Sequence, residues 1–463
     1  MRHLGDSVTD LQIAYIGGGS REWAAKLMAD LALEDKLSGT VKLYDIDLKA
    51  ARENEQIGNS IAGRPETVGK WKYETVETLE KALTGADFVI ISILPGTYEE
   101  MASDVHLPEE YGIYQAVGDT VGPGGLMRAL RTIPIYVEFA EKIRQYSPEA
   151  WVINYTNPMT LCTRTLFEVF PEIKAFGCCH EVFHTQKLMA VMLEDLKGLK
   201  NVSREDIKVN VLGINHFTWF DKASYQGMDL FPIYREFAAK YFEAGFQIPD
   251  EETWHESYFR SMHRVKFDLF QRFGLIAAAG DRHLAEFMPK WYLKDPETVK
   301  AWKFRLTPVS FRANRQEQTH IYRQRLIAGQ EKLEIKPSGE EGVLQIKALL
   351  GLGDLVTNIN LPNEGQMKGF PEKAVVETNA YLTRNGIRPV IAGELPPPVR
   401  SLVLRHVMNQ EATLKAAMNC DYSLALQAFM NDPLVTVDPV KGEELFRRML
   451  ANTKKYLPKQ WEL

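Results

Sequence analysis

Residues 11–33 read LQIAYIGGGSREWAAKLMADLAL. LQIAYI is a short apolar run rich in strand formers, and the stretch from Ser20 onward places Trp23, Leu27 and Leu31 at helical spacing. Gly17, Gly18 and Gly19 lie between the two. Glycines let a backbone approach a pyrophosphate, and the helix that follows offers free N–H groups and a positive dipole end. The unit therefore predicts a dinucleotide site with Gly17, Gly19 and Ser20 at the phosphates. Glu22 stands where the full fingerprint has its third glycine. Taken alone, the stretch could also be a glycine turn in another α/β protein, the less favoured reading.

The following segments support the nucleotide reading. VKLYDID reads as a second strand ending in Asp45 and Asp47, and an acid there suits ribose hydroxyls and repels a 2′-phosphate. Asp45 lies 28 residues after Gly17, longer than the usual spacing of about 20, and an extended first helix and loop would absorb the excess. WKYET, ADFVIISI, AWVINYT and IKAFGCC read as further strands, with helical stretches around 48–63, 76–84, 126–147 and 159–170. This alternation predicts an α/β fold with a doubly wound parallel sheet. Ligands of such sheets bind beyond the strands' carboxyl ends, where GGGS, YDID, ILPG, NYTNP and CCHEV should converge. The expected domains are 1–200, binding NAD, and 201–463, a mixed α/β half. In the second, a strand pair is expected near 355–380, a long helix after the proline stop at 396–398, and amphipathic helices near 421–431 and 440–455.

Composition limits the function. With 463 residues and a formal charge of −6, the chain shows no basic stripe of the kind that binds nucleic acid. The opening residues have no apolar leader segment. FVIISIL, the longest apolar run, has seven residues, against the ~20 that span a bilayer. No membrane partner is expected, and the cytoplasm is the expected compartment. Thiols stay reduced there, so Cys162, Cys178, Cys179 and Cys420 are not read as a disulfide frame.

Four stretches carry chemistry. After the strand AWVI, Asn154, Thr156 and Asn157 suit either a turn or sugar hydroxyls, and Pro158 stops the strand. GCCHEVFH, residues 177–184, puts Cys179 and His180 at the crevice mouth. VLGINHFTWF, residues 211–220, reads as one strand carrying His216. A Cys and a His from separate segments can share a divalent metal and leave positions open for substrate; either can also be ordinary structure. GLIAAAGDRHLAEF brings Asp281, Arg282 and His283 together, which suits proton transfer or helix capping equally. GDTVGPGGLMRALRT places Asp119 and a glycine-rich loop before a helix starting near Leu126; the loop could close over a ligand or simply connect.

In this order, GGGS, YDID, GDTVGPGG, NYTNPM, CHEV, GINHFTW and GDRH resemble the NAD- and manganese-dependent glycoside hydrolases of family 4, over about residues 11–440. The resemblance implies a nucleotide domain like that of lactate and malate dehydrogenases, a cytoplasmic homodimer or homotetramer, and the cofactors NAD and Mn2+. Cys179 and His216 match the family's two protein metal ligands, and His180 its general acid. Asp281 matches the base of α-glucoside-cleaving members, Asn157 a substrate-binding asparagine, and Asp119 a second substrate contact. The implied chemistry is oxidation at C3, proton loss at C2, elimination of the aglycone, water addition and re-reduction. A histidine after the metal cysteine accompanies unphosphorylated sugars and uronic acids, and CHEV resembles the α-galacturonidase branch. α-Glucuronidase, α-galactosidase and α-glucosidase are the alternatives within the family. A uronide's carboxylate would need a cation, for which Arg282 and Arg128 are candidates. A 2-hydroxy acid dehydrogenase would share the nucleotide domain but not need a Cys–His metal pair, and a regulator without chemistry would leave Cys179, His180, His216 and Asp281 without a task.

Overall fold

The computed structural model describes residues 1–249 and 251–461. Its larger sheet has a parallel core in the order Lys70–Thr75, Leu37–Tyr44, Ser7–Ile16, Phe88–Ile91, Trp151–Asn154, Lys174–Gly177. In sequence order of the six strands that is 3-2-1-4-5-6, the dinucleotide-binding arrangement. Alternate residues serve opposite faces. Ile13, Tyr15, Phe88 and Ile90 pack into one core, and Ala14, Ile16, Val89 and Ile91 into another. Burial on both faces is why these strands read as continuous apolar runs.

The sheet continues past the expected boundary near 200. Leu355–Pro362 adds antiparallel to Lys174–Gly177, followed by Val375–Thr383 and Gly386–Pro389. Three strands from the second half of the chain thus complete the edge of the first sheet. A smaller antiparallel sheet joins Ile207–Ile214, Phe217–Tyr225, Met228–Asp229 and Ile276–Ala277. No helix among the described residues is long and apolar enough to cross a membrane.

Two expectations are corrected here. Residues 211–220 are not one strand but the two arms of a hairpin, with Ile214 opposite Phe217 and Asn215–His216 as the turn. His216 takes φ +65°, and Gly213 has the Phe217 carbonyl 2.3 Å from where a Cβ would stand. The reversal carries none of the usual Asn-Gly or Asp-Gly markers, so the apolar pattern runs straight through it. The glycines of GDTVGPGG are not a free lid. Gly122 already begins the helix Gly122–Tyr146, and the Gly122 and Gly124 N–H groups donate to Asp432 (3.0 Å) and Gln115 (2.9 Å).

Candidate active site

The glycine loop sits where the strand order reverses. Gly17 has φ +93°, and a Cβ on it would lie 1.9 Å from the Ser92 carbonyl oxygen beyond the neighbouring strand. Only glycine fits there. The Gly19 N–H donates to Asp45 Oδ2 at 2.9 Å, and the Asp47 N–H to Asp45 Oδ1 at 2.9 Å. Asp45 thus ties the second strand's end to the loop, and its burial raises its carboxyl. Ser20 Oγ accepts from the Trp23 N–H at 3.2 Å, at the start of the helix Trp23–Ala32. Beside Asp47 opens a polar cavity of about 300 Å³, lined by Arg21, Lys49, Glu53, Glu317 and His320. The reversed strand order, the Cβ-excluding glycine and this cavity fit a dinucleotide.

The chemical groups form a second cluster. Ligand atoms of Asp119, His216 and His283 all lie within 4.8 Å of one another. The His216 and His283 rings are 3.8 Å apart, centre to centre. Thr120 sets the tautomer of His216: its Oγ1 donates to Asp119 Oδ1 at 2.8 Å and so must accept from His216 Nδ1 at 2.9 Å. That leaves the His216 Nε2 lone pair free, as a metal ligand requires. Burial, reinforced by His283, holds the His216 imidazole down to about 3, in its neutral form. Burial also lowers His283. For Asp119, burial acts upward, but Arg128, His283 and His216 outweigh it and hold the carboxyl well below the usual range. A carboxylate and two neutral imidazoles fit a divalent cation.

Cys179 lies outside that trio. It borders the same turn one residue earlier, in hydrogen-bond contact with the Asn215 side chain, and burial, Glu377 and Glu181 push its thiol up. Glu377 is itself buried and pushed up to about 7, and it accepts from Asn358 (2.6 Å) and Asn215 (3.3 Å). Cys178 packs in the sheet's core near Gln345.

His180 caps the helix Glu181–Lys197 and faces Glu340, with Nδ1 3.2 Å from Oε1. Burial works against its charge, but the Glu340 hydrogen bond and charge prevail and raise its pKa. Glu181, next in sequence, accepts from the Gly280 N–H at 2.6 Å and stands 3.9 Å from His283.

Asp281 is fully buried. It is the first residue of the helix Asp281–Glu286, yet its carboxylate accepts from the backbone of a different helix, at Val265 N (3.3 Å) and Lys266 N (3.2 Å). Burial pushes it up to about 6 against the pull of Lys266. Asn157 offers a buried Oδ1 without a partner, while its carbonyl accepts from Arg128 Nε at 3.0 Å. Asn154 and Thr156 serve the turn: Tyr136 and the Thr156 N–H donate to Asn154 Oδ1, and Thr156 Oγ1 accepts from the Ile93 N–H.

Sequence reasoning missed Thr120, Glu340 and Glu377. A threonine after an aspartate carries no signal of its own, and the two glutamates meet the site only through the fold. Glu181 was missed as well, although it lies inside CHEV between His180 and His184.

Residues 12–195 match a model described as family 4 glycosyl hydrolase, and residues 211–435 its C-terminal domain. An α-galacturonidase of Thermoanaerobacterium saccharolyticum is 62% identical over 458 residues, covering 99% of this chain and 98% of that protein. A crystal structure of a Bacillus subtilis protein superposes with a TM-score of 0.92 at 56% identity, covering 96% of this chain and all of the other. A 6-phospho-α-glucosidase from gut microorganisms, crystallised with NAD and Mn2+, shares the fold at a TM-score of 0.81 and 21% identity, covering 97% of this chain and 99% of its own.

Proposed function

Because the chain belongs to the family 4 glycosyl hydrolases, we propose that it is an α-galacturonidase that cleaves the α-glycosidic bond of galacturonides by oxidation, elimination and reduction. The enzyme is a glycosidase dependent on NAD and a divalent metal, for which Mn2+ is the ion of choice. The observation that carries this reading is the convergence of a divalent-cation donor set with a dinucleotide crevice in one chain.

Gly17, Gly19, Ser20 and Asp45 form the dinucleotide cradle. His216 and Cys179 would hold the metal, and Asp119 and His283, whose ligand atoms lie within 4.8 Å of that of His216, would be further donors to it. When bound, NAD supplies a hydride acceptor and donor for sugar C3, and the divalent ion a Lewis acid that makes the neighbouring C2 proton acidic. The chain's own groups then move protons. His180, whose pKa is raised by Glu340 against the effect of burial, gives its proton to the departing glycosidic oxygen. Asp281 takes the proton from C2, its carboxyl lying at about 6 in the buried site. Its two backbone donors, Val265 and Lys266, occupy one lone pair on each oxygen and leave the others to accept the proton. Asn157 turns its free Oδ1 to a sugar hydroxyl, and Asp119 makes the second polar contact. The working form is a cytoplasmic homodimer or homotetramer.

A substrate panel tests the reading. With NAD+, Mn2+ and a thiol reductant, nitrophenyl α-galacturonide is expected to be turned over faster than nitrophenyl α-glucuronide, α-galactoside or 6-phospho-α-glucoside. Omission of either cofactor should stop turnover. A steady rise in NADH absorbance would instead identify a dehydrogenase. Preference for the α-galactoside or the phosphoglucoside would replace the galacturonide.

A further inference from the structure

A substrate carrying a carboxylate needs a cation, and the arginines near the site differ in what they already hold. Arg128 donates Nε to the Asn157 carbonyl at 3.0 Å, and its charge is the foremost one lowering Asp119. Arg282 donates Nη2 to the Ala116 carbonyl at 3.2 Å and to Thr307 Oγ1 at 2.5 Å. Arg315 is paired with Glu22, Nε to Oε1 at 2.8 Å. Arg312, in the first turn of the helix Val309–Ile327, is different. Among the described residues its side chain makes no hydrogen bond and no ion pair, and its Nε, like that of Arg282, is buried without a partner.

Its position is defined by the half-exposed ring of Phe259. Arg282 lies over that ring at 5.3 Å, Arg315 at 5.2 Å and Arg312 at 5.9 Å. Arg282, over the same ring, directly precedes His283 in the chain, and the charge of Arg312 is among those that lower Asp119 and His283. The unpartnered Nε thus belongs to an arginine that shares an aromatic platform with Arg282, the neighbour of His283. A buried donor left unpaired is costly and marks a place where a partner is missing. The planar fork of a guanidinium matches a carboxylate with two parallel hydrogen bonds.

We infer that Arg312 binds the substrate's carboxylate and sets the preference for a uronide over the neutral sugar. The inference rests on the galacturonide reading and names its specificity residue. It is preferred to Arg282, whose Nη2 already donates twice within the protein, and to Arg128, whose Nε donates to the Asn157 carbonyl and whose charge faces Asp119.

Steady-state kinetics of the NAD- and Mn2+-loaded enzyme test it, with nitrophenyl α-galacturonide and nitrophenyl α-galactoside as substrates and D-galacturonate as inhibitor. Arg312→Gln is expected to raise KM for the galacturonide and weaken galacturonate inhibition at least about tenfold, as loss of a charge-assisted pair does. The ratio of kcat/KM for galacturonide over galactoside should fall by a similar factor. Arg312→Lys should fall between, since it keeps the charge without the fork. NAD titration of each variant reports an intact nucleotide site. An unchanged galacturonide KM and galacturonate inhibition in Arg312→Gln, or an equal loss on both substrates, overturns the inference. So does a selective loss in Arg282→Gln or Arg128→Gln but not in Arg312→Gln. If the unmodified enzyme does not cleave the galacturonide, the substrate reading itself falls, and Arg312 with it.

Discussion

Replacing His216 with asparagine, or dialysing the enzyme against a chelator, is expected to lower kcat by about a thousandfold, the equivalent of about 4 kcal/mol of barrier. Asparagine is the right probe because residue 216 sits at φ +65° in a two-residue turn. That conformation is tolerated by Asn better than by Ala, so the hairpin survives while the ligand is lost. The chelated native site keeps a carboxylate and two imidazoles within 4.8 Å of one another, but no Lewis acid to polarise the C3 carbonyl and acidify the C2 proton further. Re-addition of Mn2+ should restore the chelated native enzyme and not His216→Asn. NAD titration should be unchanged in both, because the glycine loop is formed by other strands. Full activity after exhaustive chelation would remove the metal from the reaction.

Gly17→Ala has the second large effect, and it falls on the fold as well as on the cofactor. The residue needs φ +93°, and the new methyl group would lie 1.9 Å from the Ser92 carbonyl oxygen. The conformational cost is about 1 kcal/mol. Displacing a backbone carbonyl at the sheet's switch point adds roughly 1–3 kcal/mol, as overpacking does. Gly63→Ala separates the two terms: Gly63 has φ +79° but nothing within 4 Å of the added carbon. Thermal unfolding should show Gly17→Ala well below Gly63→Ala, and only Gly17→Ala should lose NAD affinity. Equal melting temperatures would mean the loop is looser than the close contact with Ser92 implies.

The parallel sheet was readable from sequence because its central strands, such as Phe88–Ile91 and Trp151–Asn154, are buried on both faces and read as short apolar runs, while the edge strand Lys70–Thr75 alternates exposed and buried residues. The turn at His216 was not, since its reversal lies inside the apolar run GINHFTWF. The three strands after residue 355 were legible as strands, but their attachment to Lys174–Gly177 is a pairing between distant segments, which local pattern cannot specify. The same limit hid Glu340 from His180, which lies 160 residues away in sequence, and Arg312 from Asp119. Motif spacing located the residues near Cys179, Asp119 and His216. Which imidazole nitrogen is free depends on Thr120, a hydroxyl that no motif marks.

The central claim is that cleavage passes through loss of the C2 proton, not through direct displacement at C1. Hydrolysis of nitrophenyl α-galacturonide in D2O, with NAD+ and Mn2+ present and the released galacturonate analysed by NMR, measures this directly. The account predicts deuterium at C2 of the product from the first turnovers. Product formed at full rate with ordinary hydrogen retained at C2 would contradict it.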